Sequence, residues 1–179
     1  GTVKFVVDGG EDVIFADLDE GAAEAPITGL SVGDHTVVAT YLSGDSNFVT
    51  STSSQATQKV NKAATKTKVT SSSPTSVFGQ PVTFTATVSV DEPGAGSPSG
   101  TVTFTDGSTV LGTAPVNAGT GEQASIVVSD LSVAQHAIVA TYSGDDSFLG
   151  SDGSVSQKVE RAQTSTLVTS SAHPAESGE

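Results

Sequence analysis

From Pro81 to Val90 the chain reads PVTFTATVSV, with apolar and polar positions alternating throughout. Val82, Phe84, Ala86, Val88 and Val90 fall on one face; Thr83, Thr85, Thr87 and Ser89 fall on the other. A period of two with β-branched outer residues predicts a half-buried antiparallel strand. Thr101 to Phe104 repeats the pattern and turns Val102 and Phe104 inward. Further on, Ile138, Ala140 and Tyr142 alternate with Ala137, Val139 and Thr141, and an earlier stretch places Val37, Ala39 and Tyr41 likewise. Ser125 to Val128 predicts another strand with Ile126 and Val128 inward, and Val155 and Val159 mark a last one. Turn residues separate these runs: SSSP at Ser71, DG at Asp106, NAG at Asn117, SGDD at Ser143 and SDG at Ser151. No stretch carries ten residues of capped helical spacing, and the alanine-rich segment after Glu20 stops at Pro26. Many short strands without helices predict an all-β antiparallel sandwich.

The pattern also occurs twice. GTVKFVVDG at Gly1 returns as GTVTFTDG at Gly100, LSVGDHTVVATYLSGDSNF at Leu30 as LSVAQHAIVATYSGDDSF at Leu131, and SQATQKVNK at Ser54 as SVSQKVER at Ser154. The copies lie about 99 residues apart, which predicts tandem units.

The order TKVTSSSPTSVFGQPVTFTATV, PSGTVTFTDGSTVLGTAPV and then LSV-x-x-H-x-x-x-A-T-Y-S-G-D-x-x-F resembles the bacterial immunoglobulin-like tandem repeats of large surface and secreted proteins. The resemblance implies an antiparallel immunoglobulin-like β-sandwich, repeated about every 99 residues. It divides the chain into 1–62, the later part of one repeat without its first two strands; 63–161, a complete repeat; and 162–179, the first strand of another. Between Glu11 and Pro26 an acidic segment stands where the repeat has a short strand and turn. In this layout the missing strands would cover Val3, Phe5, Val37 and Ala39. A bare apolar face and a free strand edge are what folded proteins avoid. Two covers are expected: preceding residues of a longer chain, or a strand donated by another molecule. The segment from Ala162 is expected to be loose or paired to another copy.

Composition narrows the function. The net charge is −13, from 20 acids against 7 bases, which argues against nucleic acid and anionic membrane as partners. With no cysteine, disulfides and thiolate chemistry are excluded, and no apolar run is long enough to span a membrane. Hydrolytic chemistry needs a nucleophile, a base and an orienting acid. His35 and His136 hold equivalent places at the start of the Tyr-ending strand, near Asp34 and Asp130, and His173 lies in the tail. A histidine duplicated in each repeat predicts a strand-edge hydrogen bond to a loop rather than a base. No hydrolase, zinc-protease or phosphate-loop motif is present, so no catalytic or cofactor-binding residue is assigned.

Calcium favours clustered oxygen ligands in loops. Asp145, Asp146 and Asp152 flank one loop, and Asp17, Asp19 and Glu20 crowd another, so calcium is the single candidate cofactor, set against solvated turn acids. In the Gly-Asp turns, Gly44 and Gly144 are expected at positive φ. Asp45 and Asp145 are expected to cap backbone amides, with Phe48 and Phe148 plugging the sandwich ends. Lys66 and Lys68, with Asn61, offer only an outward-facing version of a Lys–Asn cross-link. The expectation is a non-catalytic structural module of an extended extracellular or cell-surface stalk, adhesin or fibre. The alternatives are a glycan- or protein-binding module, and a subunit exchanging strands into a filament. Expected partners are adjacent repeats or neighbouring copies, and a host or matrix glycan or protein. Because tyrosines and phenylalanines alike are expected in core or plug positions, the glycan alternative lacks an aromatic platform.

Overall fold

The computed structural model describes residues 1–10, 12–170 and 177. The chain is built from strands β1 (Thr2–Val7), β2 (Asp12–Asp17), β3 (Gly33–Leu42), β4 (Ser51–Thr52) and β5 (Ala56–Val60), then β6 (Thr65–Ser71), β7 (Thr75–Val77) and β8 (Val82–Val90). There follow β9 (Thr101–Asp106), β10 (Thr109–Pro115), β11 (Gln123–Val128), β12 (Gln135–Tyr142) and β13 (Ser151–Glu160). The one helical element among the described residues is a 3₁₀ turn at Ala118–Thr120, capped by the Asn117 side chain on the Gly119 amide.

After residue 62 the strands make a sandwich. One sheet runs β10-β9-β12-β13-β7 and the other β11-β8-β6. All pairings within them are antiparallel except β13 with β7. The period-two faces meet between the sheets: Val82, Phe84, Ala86 and Val88 from β8 against Val102, Phe104, Ile138, Ala140 and Tyr142. Each of these is 2% exposed or less. Full burial of the Val, Ile and Phe side chains among them contributes about 1.5–3 kcal/mol each, and no disulfide supplements it.

Ser151–Gly153 had the look of a turn but opens β13 instead. The reason is packing: a Cβ on Gly153 would collide with the Thr67 carbonyl, so glycine lets β6 cross closely over β13. Thr67 then hydrogen-bonds Ser151 Oγ at 2.8 Å.

Before residue 62 the same blocks build a single sheet, β2-β1-β3-β4, with β5 also on β3. The segment between Glu11 and Pro26 does contain a strand, which corrects the expectation of an acidic replacement. All six residues of β2 pair with β1, Phe5 standing opposite Ile14. Apolar residues on both faces of β2 obscured its period.

Among the described residues no second sheet faces this first one. Val3, Phe5, Val37, Ala39 and Tyr41 are therefore only half-buried, although their counterparts Val102, Phe104, Ile138, Ala140 and Tyr142 are sealed. Residues 23–32, which correspond to β11 and the loop after it, form no strand; β11 pairs with β8, and among the described residues no strand takes that place beside the first sheet. Residues 162–170 likewise join no ladder, with Leu167 and Val168 exposed.

Candidate functional site: histidine latches and the joint

His35 and His136 begin the Tyr-ending strands β3 and β12, and both are buried. His35 Nδ1 lies 2.7 Å from Asp8 Oδ2, and Nε2 lies 2.8 Å from the Ser31 carbonyl. His136 repeats this, with Nδ1 2.6 Å from Asp106 Oδ2 and Nε2 2.9 Å from the Ser132 carbonyl. The loop contact is the one the duplicated histidines predicted. The acids are ones the sequence reading did not name: Asp8, just after β1, and Asp106, at the end of β9, hold the rings, and the neighbouring Asp34 and Asp130 make no hydrogen bond to them. Their signal was in the repeated block, since each closes the GTV-x-F run just before a glycine.

A carbonyl accepts and never donates, and an ionised carboxylate does the same. With acceptors at both ring nitrogens, the imidazole satisfies them together only when doubly protonated. The pKa of His35 is accordingly raised, first by the Asp8 hydrogen bond and then by the Ser31 carbonyl, against some desolvation. For His136 desolvation acts downward most strongly, yet the Ser132 carbonyl and Asp106 outweigh it and the net shift is also upward. Asp8, which further accepts the Thr36 amide at 2.8 Å, is lowered, chiefly by His35. Neither ring leaves a nitrogen over for a nucleophile. The arrangement ties a loop to a strand end. His173 lies outside the described residues.

At the opposite end of the sandwich stands Asp145. Its Oδ1 accepts the amides of Ser147 (2.8 Å) and Phe148 (2.9 Å). Its Oδ2 accepts the Ser99 amide (2.8 Å) and hydroxyl (2.7 Å), with the Tyr142 hydroxyl at 3.4 Å. Desolvation works against ionisation, but these bonds prevail and hold the Asp145 pKa down at about 2. Burial, assisted by the Asp145 charge, pushes Tyr142 up to about 12.

Asp145 therefore caps its turn, as expected. Asp152, in contrast, stands within β13 opposite Thr141, and Asp146 makes none of these bonds. No group of three or more acids, histidines or cysteines among the described residues is placed to hold a metal. The crowding of Asp17, Asp19 and Glu20 along the sequence does not become such a cluster. Lys66 points outward, as expected, and pairs with Asp91 at 2.8 Å.

The two turns diverge in their glycines and phenylalanines. Gly144 has the expected positive φ of 73°, and Gly44 does not. Phe148 is 5% exposed and seats beside Gly96, whereas Phe48 is 64% exposed. The first turn keeps the Asp45 cap on the Asn47 amide (2.7 Å). Among the described residues no segment like the Asp91–Gly100 loop lies over its ring. Phe15 and Phe78 are also exposed, at 59% and 55%, which corrects the expectation that the phenylalanines are all core or plug residues.

Between the first sheet and the sandwich the chain is short and secured. β5 ends at Val60, and Ala63 already donates to the Ser147 carbonyl (2.9 Å) and accepts from the Leu149 amide (2.9 Å). Lys62 Nζ donates to the Asp145 carbonyl. Leu30, Ser31 and Val32, the loop held by His35, line one crevice with Ala95, Ser147 and Phe148.

A family profile described as bacterial Ig-like domain (group 3) matches residues 1–61 and 69–160. No curated protein matches the chain. Among solved structures, the fibronectin(III)-like modules of Clostridium thermocellum CbhA align at 18% identity with a TM-score of 0.45, over 94% of this chain and 83% of theirs. A bacterial ice-binding adhesin, studied for host cell surface retention, aligns at 16% identity and TM-score 0.40, over 90% of this chain and 53% of its own. The N-terminal four Ig domains of Dscam1 isoform 9.44 align at 12% identity and TM-score 0.42, over 88% and 37% respectively. No helix among the described residues is long and apolar enough to cross a membrane.

Proposed function

Because the chain belongs to the bacterial Ig-like domain family, group 3, we propose that it is a non-catalytic structural segment of an extended extracellular or cell-surface protein, spacing a terminal functional domain from its anchor. The observation that carries this reading is the joint. Only Asn61 and Lys62 separate the end of β5 from Ala63, which is hydrogen-bonded into the top of the sandwich. A joint this short fixes orientation, unlike a flexible Gly/Ser linker whose reach grows only as the square root of its length. A net charge of −13 adds repulsion between neighbours along a fibre. Sedimentation velocity tests the reading. An elongated monomer supports it. A compact monomer refutes it, and a polymer that grows with concentration favours strand exchange instead.

A second reading, a module that binds a glycan or protein, has one observation in its favour. The outer face of the first sheet exposes Phe15 and Leu42, where the sandwich sheet has Thr113 and Ser143. An exposed aromatic beside polar neighbours is a stacking surface. Binding of the chain to a glycan array, abolished by Phe15→Ala, would favour this reading; no binding to either glycan or protein arrays would remove it.

A further inference from the structure

The loop at residues 29–32 has two neighbours of different kinds. Its Ser31 carbonyl accepts from His35 Nε2, while Leu30, Ser31 and Val32 line one crevice at the joint together with Ala95, Ser147 and Phe148. Whatever holds the loop therefore also shapes one wall of that crevice. The hold depends on the charge of one ring. Doubly protonated, it donates to Asp8 and Ser31 together; neutral, it has a single N–H for two acceptors.

The surrounding charges favour keeping the proton. Asp8 faces the ring from the end of β1, and Asp34 precedes it on β3 and adds attraction. From β5, neutral Gln58 stands opposite His35 and Lys59 opposite Asp34. At His136 the facing acid is Asp106 from β9, with neutral Gln157 opposite on β13 and Lys158 opposite Gln135.

We propose that the His35 latch is a proton-dependent hold on the joint between the first sheet and the sandwich. Protonated, it fixes the Ser31 loop against the Ser147–Phe148 turn. Deprotonated, its one N–H stays with the charged acceptor, Asp8, the Ser31 loop is released, and the joint slackens. His136 and Ser132 build the same device at the far end of the sandwich, where a following unit would meet it. The mechanical consequence rests on the stalk reading; the proton-dependent hold does not.

The test is an NMR titration of the whole 179-residue chain from about pH 5 to 9, spanning the histidine range. Both His35 and His136 should titrate above the ordinary value of 6.5. The amides of Leu30, Ser31, Val32, Ser147 and Phe148 should shift with the His35 midpoint. A midpoint at or below 6.5 for His35, or joint amides indifferent to it, overturns the proposal. Asp8→Asn supplies the control: the His35 midpoint should fall while that of His136 stays. An unmoved His35 midpoint would refute the role given to Asp8. Sedimentation failing to find a rod would leave these midpoints in place, so the two ideas fail separately.

Discussion

Phe48 and Phe148 occupy the same place in the repeated block, so truncating each asks whether position or covering decides the energy. Phe148 is 5% exposed and touches the Gly96 position, and its amide is bonded to Asp145. Phe148→Ala removes a buried ring and leaves a cavity, a change that costs about 3–5 kcal/mol in cores. The backbone stays anchored by Asp145 and Ala63 while the loop at Gly96 has room to settle, which points to the lower half of that range, about 3 kcal/mol. Phe48 is 64% exposed. Only about a third of a side chain worth roughly 2–3 kcal/mol is withdrawn from water, so Phe48→Ala should cost under about 1 kcal/mol. The gap between the two is then about 2 kcal/mol or more. Denaturant unfolding, read through hydrogen exchange of β8 and β12 amides for Phe148→Ala and of β1 and β3 amides for Phe48→Ala, follows the sandwich and the first sheet separately. Equal costs for the two variants, or a Phe148→Ala cost below about 1 kcal/mol, would refute the argument that covering by the Asp91–Gly100 loop creates the plug.

Other outcomes follow from the same geometry. Gly153→Ala forces β6 away from β13 and should cost roughly 1–3 kcal/mol, the range for overpacking; a melting temperature within error of the parent would contradict the close crossing. Asp145 has its folded-state pKa lowered to about 2 from 3.8, so its contribution is present above pH 3.8 and lost as pH falls toward 2. Acid unfolding followed by circular dichroism should be steepest in that window, and Asp145→Asn should flatten it. His35 and His136 act oppositely: raised values place their contribution below pH 6.5 and remove it as pH climbs past their folded-state pKa. Because the Asp145 oxygens already accept five donors, adding or chelating calcium should leave the melting curve unmoved; a clear upward shift with calcium would show that the acids gather in solution.

How much of this was legible depended on whether the cause was local. β8 and β12 could be read directly, since one face of each is buried and the other wet, and Val82, Phe84, Ile138 and Ala140 kept the two-residue period. β2 was hidden because Val13 and Phe15 put apolar residues on its outer face. The loop partner of the histidines could be anticipated from their place at a strand start. Their carboxylates could not, because Asp8 and Asp106 reach them from 27 and 30 residues away across sheet pairings. The DG at Asp106 marks a turn, and nothing local shows that its carboxylate also reaches a histidine. Ser151–Gly153 misled for a related reason: glycine there serves a crossing strand rather than a bend. Phe48 shows the limit most plainly, since a similar turn leaves its ring exposed where, among the described residues, no loop like Asp91–Gly100 lies over it.

The stalk account stands or falls on how the first sheet and the sandwich are arranged in solution. Small-angle scattering of the 179-residue chain, extrapolated to infinite dilution, should give an elongated particle whose distance distribution shows two lobes at a fixed separation. A single-lobed compact distribution, or one smeared by a freely moving joint, would contradict it.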